Sequence, residues 1–389
     1  MIYADYNGSA PLSTAVKEYL IHRINTGPFA NPNSSHHLGA KTMLGMNNAR
    51  KICAQHLGAR EDQIIFNSGS TEGTTTVFHS LLSEASATKT PYIFISNIEH
   101  PATHTTALSY EKQGFKVKFI PVNENGAIQI SVFEQMVKEY RGQIAMAAVM
   151  ASNNETGVLQ PFEKIALICK DEKIPSFSDT TQYVGKLPFD FQKSQLDFAV
   201  LSGHKFGAMV GTGILLARDY RQVKPILLGG GQERNLRSGT QNYLGNETLA
   251  VALDAFAKKS NRIEILKHKK NDFEKKIKAA FPSVKIIGET VARLPGTTYL
   301  AYPKLFGQAI QIELESRDIF VSTSAACSDD KPITSRVLKA MKVDDATGRG
   351  GIRISLSIES NLEDSDSDYD KIYLALKDIY HKLLKINCF

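Results

Sequence analysis

The chain has 389 residues and a mass of 42.9 kDa, with 42% hydrophobic and 22% charged residues. That composition supports a sizeable core and excludes a disordered chain, and at about 150 residues per domain the length suggests roughly two to three domains. A mean hydropathy of −0.21, with no apolar run of the about 18–20 residues a membrane span needs, argues against a membrane protein. The net charge of +6, from 46 basic and 40 acidic residues, is too slight to argue for nucleic acid.

The opening Met1-Ile-Tyr-Ala-Asp5 lacks the basic-then-apolar pattern of a secretory signal. The four cysteines, Cys53, Cys169, Cys327 and Cys388, form no CxxC pair, so neither a disulfide framework nor a structural zinc site is expected. A reducing cytoplasmic location and no metal follow as expectations. Cys53 and Cys169 fall in apolar, helix-like stretches and read as core residues.

From about residue 40 to 255, short apolar runs alternate with stretches of helical period, and no repeat of solenoid length interrupts them. The runs are Ile64 to Phe66, Tyr92 to Ile95, Lys116 to Ile120, Ile144 to Met150, Ile174 to Phe177, Phe198 to Leu201 and Gly213 to Leu216. Continuous apolar strands separated by helices predict an α/β fold with a large, mostly parallel sheet covered on both faces. After about residue 256 the texture changes. One Lys-rich helix is predicted over Phe256 to Phe281, then short strands at Val284 to Ile287, Thr297 to Ala301, Phe320-Val321 and Ile352 to Leu356, and a last helix over Ser367 to Ile386. Acids interspersed among Lys258 to Lys278 mark a solvated helix face rather than an RNA-binding surface. The acids from Glu363 to Asp370 suit the start of the last helix. The expected division is a large domain over 15–255 and a smaller α+β domain built from 1–14 and 256–389.

Ligands of open α/β sheets bind beyond the carboxyl ends of the strands. Five successive strand ends carry polar, reactive groups: Asn67 to Gly73, Ser96 to His100, Ala151 to Gly157, Ser178 to Gln182 and Ser202 to Lys205. Ser68-Gly-Ser-Thr-Glu72 joins a strand to a helix start, where free N–H groups and hydroxyls make a phosphate cradle. Lys205, at a strand end, is held as a Schiff-base lysine must be. Asp179, at the neighbouring strand end, can pair with a protonated pyridine nitrogen. His100 can stack on a ring or move a proton. Alone, each has a plainer reading as a helix cap, a surface lysine, a turn aspartate or a loop histidine. Together they describe a site for pyridoxal 5'-phosphate.

Ser202-Gly-His-Lys205, Asn153-Asn-Glu-Thr-Gly157, Asp179-x-x-Gln182, and Arg237-Ser-Gly-Thr240 after Gly229-Gly-Gly-Gln-Glu-Arg234 resemble the pyridoxal-phosphate-dependent cysteine desulfurases of the class V aminotransferase-like family. Asp5-Tyr-Asn-Gly-Ser-Ala-Pro11 and Asn31-Pro-Asn-Ser-Ser-His-His37 resemble its opening motifs, and Ser324-Ala-Ala-Cys327 and Gly351-Ile-Arg353 its closing ones. The resemblance spans nearly the whole chain and implies a fold-type I transferase.

Carried over by position, it implies that Lys205 forms the Schiff base, that Asp179 pairs with the ring nitrogen and that His100 stacks on the ring. Asn154 and Gln182 would bond ring substituents, Gln182 near the phenolic oxygen. Ser70, Thr71, Ser202 and His204 would hold the phosphate. Thr240 would reach a phosphate across the interface of a homodimer. Arg353, with Asn154, would meet the substrate, its guanidinium gripping the carboxylate of L-cysteine. Cys327 would take the sulfur as a persulfide and pass it to an acceptor protein, with L-alanine as the other product.

The sequence departs from the family at Gly73-Thr-Thr75, at Ser357 and in the cysteine loop, Ser322-Thr-Ser-Ala-Ala-Cys327, where Asp329 and Asp330 follow the thiol and tend to raise its pKa. A selenocysteine lyase, a β-eliminating lyase or a class V aminotransferase would use the same scaffold. A non-catalytic scaffold would need neither Lys205 nor Asp179. Iron–sulfur cluster assembly, tRNA thiolation and cofactor biosynthesis are equivalent destinations for the sulfur at this level.

Overall fold

The computed structural model describes residues 1–85, 87–303, 305–323, 334–363 and 366–386. A seven-stranded sheet runs in spatial order Ile64–Asn67, Gly213–Ala217, Phe198–Ser202, Ser176–Asp179, Ile144–Ala148, Tyr92–Ser96, Lys116–Ile120. Every adjacent pair is parallel except those made by Gly213–Ala217, which is antiparallel to both neighbours. Five of these strands, Ile64–Asn67, Ile144–Ala148, Ser176–Asp179, Phe198–Ser202 and Gly213–Ala217, are buried along their whole length, as strands covered on both faces must be. Helices cover both faces. Val77, Phe78 and Leu82 of the Ser70–Leu82 helix pack with Ile65, Ile93, Phe177 and Val200 on one side. Met46, Cys53, Leu249 and Leu253 pack with Ile64, Leu201 and Ile214 on the other. Each such side chain contributes about 1.5–3 kcal/mol on burial.

The chain after residue 280 builds a three-stranded antiparallel sheet, Gly351–Ser355, Thr297–Ala301 and Lys285–Ile286. It packs against the helices Arg262–Ala280 and Asp368–Ile386 around Leu266, Phe273, Ile354, Ile372 and Leu376. The amino terminus joins this end of the molecule: Ile2–Tyr3 pairs in parallel with Ile319–Phe320, and Ala4 sits in the same core.

The single Lys-rich helix expected over Phe256 to Phe281 is two helices, Tyr243–Lys258 and Arg262–Ala280. The break falls at Lys259-Ser260-Asn261, where Lys259 N–H turns back to the carbonyl of Phe256. Ser and Asn compete for backbone hydrogen bonds and favour helix ends. The last helix starts at Asp368, with Ser367 Oγ accepting from Asp370 N–H at 3.2 Å; of the acids expected at its start Asp368 and Asp370 lie in the first turn, Glu363 and Asp366 precede it, and Asp364 lies outside the described residues.

Candidate active site

The carboxyl ends of the parallel strands open on a cavity of about 360 Å³, lined by Ser70, Thr71, His100, Asn154, Asp179, Gln182, Ser202, His204, Lys205 and Arg353, with Asn7, Gly8, Met150, Ser152 and Thr181. Its size falls in the about 300–1,000 Å³ range of small-molecule sites. Ten of the residues expected from the sequence therefore meet in one place.

The Ser70–Leu82 helix begins at the cavity, and its N-cap, Gly69, has no side chain to occupy the first turn. Gly69 has a φ of +149°, and a Cβ there would stand 2.9 Å from Ser202 Oγ. The bare cap lets Ser202 approach: its Oγ accepts from Ser70 N–H at 2.9 Å and lies 3.3 Å from Ser70 Oγ. Hydroxyls and N–H groups at a helix start, where the dipole is positive, suit a phosphate.

Asp179 ends the strand Ser176–Asp179 and is buried, its Oδ1 accepting from Thr181 N–H at 3.0 Å. The next strand, Phe198–Ser202, ends beside it and leads directly into Gly203-His204-Lys205. Lys205 Nζ donates to the carbonyls of Gly8 at 2.6 Å and Asn7 at 3.1 Å. Burial lowers the lysine's pKa, as does Arg353, while Asp5 and Asp179 oppose the shift. A lysine so placed reaches its neutral, nucleophilic form more readily.

Both histidines have lowered pKa values. Burial, Lys205 and Lys186 bring His204 down to about 4, and its Nδ1 lies 3.1 Å from Ser9 Oγ. His100 caps the helix Pro101–Ser109, its Nδ1 accepting from Ala102 N–H at 3.1 Å, and burial lowers its pKa. Beneath it Glu99 is buried, and burial raises its carboxyl to about 8 against the pull of hydrogen bonds from Ser96 and Met150. Arg336 ties this turn to the helix Arg336–Ala340 by donating to the carbonyls of Asn97 and Glu99.

Arg353 lies on the central stretch of Gly351–Ser355 and donates to Asn154 O at 2.8 Å and to Asp5 Oδ1 at 2.6 Å. Its Nε is buried without a partner among the described residues. Asn153 shapes the turn that carries Asn154, its Oδ1 accepting from the N–H groups of Glu155 and Thr156, both at 3.0 Å.

Thr240 is exposed and outside the cavity of its own chain. Its segment is anchored by Arg237, which pairs with Glu72 at 2.9 Å. Cys327 and Cys388 lie outside the described residues. Cys53 and Cys169 are buried, and burial pushes both thiols up to about 12, so they are inert core residues as expected. Among the described residues no group of His, Cys, Asp and Glu could hold a metal.

Sequence reasoning assigned no role to Asp5, Asn7 or Lys186. Asp5 and Asn7 stand in the quoted opening motif, which was the available signal. Asn7 is buried, and its carbonyl accepts from both Lys205 and Gln182. Lys186 has no sequence signal of its own beside Gly185.

A second cavity of about 210 Å³ lies behind Lys205 and Lys186, with Pro11, Phe206 and Phe256 in its wall. Asp179, Ser70, Ser202 and Arg353 line only the larger cavity, so the chemistry belongs there.

The residues present fit pyridoxal phosphate. Ser152 Oγ and Thr181 Oγ1, both in the lining, are buried with no partner among the described residues. A buried hydroxyl calls for such a partner. The helix start suits the phosphate, Asp179 the ring nitrogen and Lys205 the aldehyde. The fold and this constellation define a pyridoxal-phosphate-dependent enzyme.

The family description Aminotransferase class-V matches residues 2–367. The cysteine desulfurase IscS of Dictyoglomus turgidum is 30% identical over 99% of this chain and 96% of its own length. A solved NifS-like protein has a TM-score of 0.87 at 30% identity, covering 98% of this chain and 99% of its own. The solved SspA in complex with cysteine has a TM-score of 0.79 at 28% identity, covering 92% of this chain and 99% of its own. The chain belongs to the class V aminotransferase family and, within it, to the cysteine desulfurases.

Proposed function

We propose that the protein removes sulfur from L-cysteine, giving L-alanine and a persulfide on Cys327. The observation that carries the residue assignment is the convergence of Lys205, Asp179 and Arg353 on one cavity. Bound pyridoxal phosphate supplies an electron sink for the pair released at the substrate's α-carbon. Asp179 keeps the proton on the ring nitrogen. Ser70, Thr71, Ser202 and His204 hold the phosphate at the helix start. His100, neutral and fixed by Ala102 N–H, stacks on the ring and is placed to move a proton. Arg353 grips the substrate carboxylate, for which its unpartnered Nε is the open donor, and Asn154 borders the same position. Lys205 Nζ takes the proton from the α-carbon. Cys327 thiolate attacks the substrate sulfur. The S–S bond forms as the C–S bond breaks, and carbon keeps the electron pair and takes a proton to become the methyl of alanine.

The working unit of this reading is a homodimer. Thr240, exposed and outside its own cavity, reaches the phosphate of the partner subunit. Ile21, Ile24, Phe29, Leu38 and Leu44, exposed on the first two helices and the loop between them, supply apolar surface for such an interface. Residues 15–255 act as the cofactor-binding domain, and 1–14 with 256–389 as the domain that brings Arg353 and the Cys327 loop. The persulfide passes to a sulfur-acceptor protein, with iron–sulfur cluster assembly as one destination. The reading places the reaction in the cytoplasm. No helix among the described residues is long and apolar enough to cross a membrane, and Cys53 and Cys169 are free thiols.

The test is turnover. The protein loaded with pyridoxal phosphate, given L-cysteine and a reductant, releases alanine and sulfide in equal amounts, and Lys205→Ala releases neither. Binding of the cofactor with no attack on cysteine would refute the assignment.

A further inference from the structure

Lys186 is a second lysine at the site, and no step above uses it. Its Nζ donates to Asn7 Oδ1 at 2.6 Å and to Gln182 Oε1. Gln182 Nε2 in turn donates to the carbonyl of Asn7 at 2.9 Å. A carboxamide has one accepting and one donating end. Reversing the Gln182 amide would aim its oxygen at the Asn7 carbonyl, two acceptors face to face, whatever the charge on Lys186. Asn7 does not need Lys186 to stay in place. Its N–H donates to Ser355 Oγ at 3.0 Å, its Nδ2 to Asn154 O at 3.2 Å, and its Oδ1 also accepts from Thr297 Oγ1 at 3.3 Å. The Asn7 carbonyl holds the donor end of Gln182, and Lys186 adds the second bond, holding its acceptor end. The Nε2 hydrogen not bound to Asn7 is left for an acceptor in the cavity that Gln182 lines.

We propose that Lys186 is a positioning residue that locks Gln182 with its donor end toward the ring oxygen of the cofactor. This rests on the reading that pyridoxal phosphate fills the cavity with Gln182 beside that oxygen. The charged groups facing Lys186 are Lys205, Arg353 and Asp5. Burial and the two cations hold its pKa well below that of an ordinary lysine, so the position costs stability that a surface lysine would not cost.

A donor to the ring oxygen stabilises negative charge there. Without it, the protonated nitrogen next to that oxygen is the group left to offset the charge, and it holds its proton to higher pH. The experiment follows the visible absorption band of the loaded protein against pH in wild type, Gln182→Ala, Lys186→Met and the double variant. The midpoint rises by about one pH unit in Gln182→Ala, the size of one charged hydrogen bond, and by a smaller but measurable amount in Lys186→Met, where the Asn7 carbonyl still holds one end of the amide. The double variant shows no further rise, because both changes remove one interaction. A midpoint unmoved in Lys186→Met, or shifts that add in the double variant, overturns the proposal. If Lys186→Met fails to fold, Lys186→Arg carries the test. It keeps a donor and the midpoint stays near wild type, whereas a midpoint moved as far as in Gln182→Ala overturns the proposal. A wild-type protein with no visible band defeats the cofactor reading itself, and this inference with it. A wild-type band with an indifferent Lys186→Met defeats this inference alone.

Discussion

Arg353 Nη2 lies 2.6 Å from Asp5 Oδ1, so the arginine proposed to meet the substrate is paired to a residue five positions into the chain. The pair ties the amino-terminal segment to the strand Gly351–Ser355 beside the cavity that Arg353 lines. It orients a planar guanidinium before any substrate arrives, with Asn154 O holding Nη1.

Geometry as well as charge is therefore needed at this position. Arg353→Lys keeps the charge and loses the planar fork. The expected result is a fall in kcat/KM for L-cysteine of about 10- to 100-fold, carried mainly by KM, which corresponds to about 1.4–2.8 kcal/mol of lost binding. Steady-state kinetics on the two proteins checks it. An unchanged KM would remove Arg353 from the substrate.

His204 makes the cofactor-free protein sensitive to acid. Burial, then Lys205 and Lys186, depress its pKa from 6.5 to about 4. As pH falls below 6.5 the unfolded chain takes up a proton at this ring, while the folded chain does not until about pH 4. Stability is therefore lost across that window as pH falls, and the loss levels off below it. Chemical denaturation of the cofactor-free protein at several pH values measures this. His204→Gln flattens that part of the profile.

Thr240 belongs to the neighbouring subunit's site in the proposed dimer, which makes complementation the test. Lys205→Ala chains lack the nucleophile, and Thr240→Ala chains bind the cofactor weakly. A mixed dimer contains one site with Lys205 from one chain and Thr240 from the other. At limiting cofactor, co-expression of the two variants gives activity above that of either homodimer. If mixing restores none, Thr240 does not act across an interface.

The strand-end loops were legible because parallel strands deliver their carboxyl ends to one edge of a sheet. Once the apolar runs were located, Ser70, Asp179, Ser202 and Lys205 had to lie near one another. Asn154 lies in one of these strand-end loops, whereas Arg353 is placed only through the family resemblance, since no periodicity joins strands of different sheets. Asn7 and Lys186 were illegible for the same physical reason. Asn7 enters from the amino terminus, through the parallel pairing of Ile2–Tyr3 with Ile319–Phe320. Lys186 looks like any polar loop residue until Gln182 and Asn7 close around it. The helix break at Lys259-Ser260-Asn261 was missed because lysines on both sides keep the helical composition going while the Ser-Asn pair ends the hydrogen-bond ladder.

The central claim is that sulfur moves from cysteine to Cys327. The most direct measurement is peptide mass spectrometry of the loaded protein after brief exposure to limiting L-cysteine, without reductant. A gain of one sulfur is expected on the peptide containing Cys327, with one alanine released for each sulfur bound and none on the peptides of Cys53 or Cys169, whose buried thiols cannot reach the substrate. Alanine formed with no sulfur on Cys327, or formed unabated by Cys327→Ala, would contradict it.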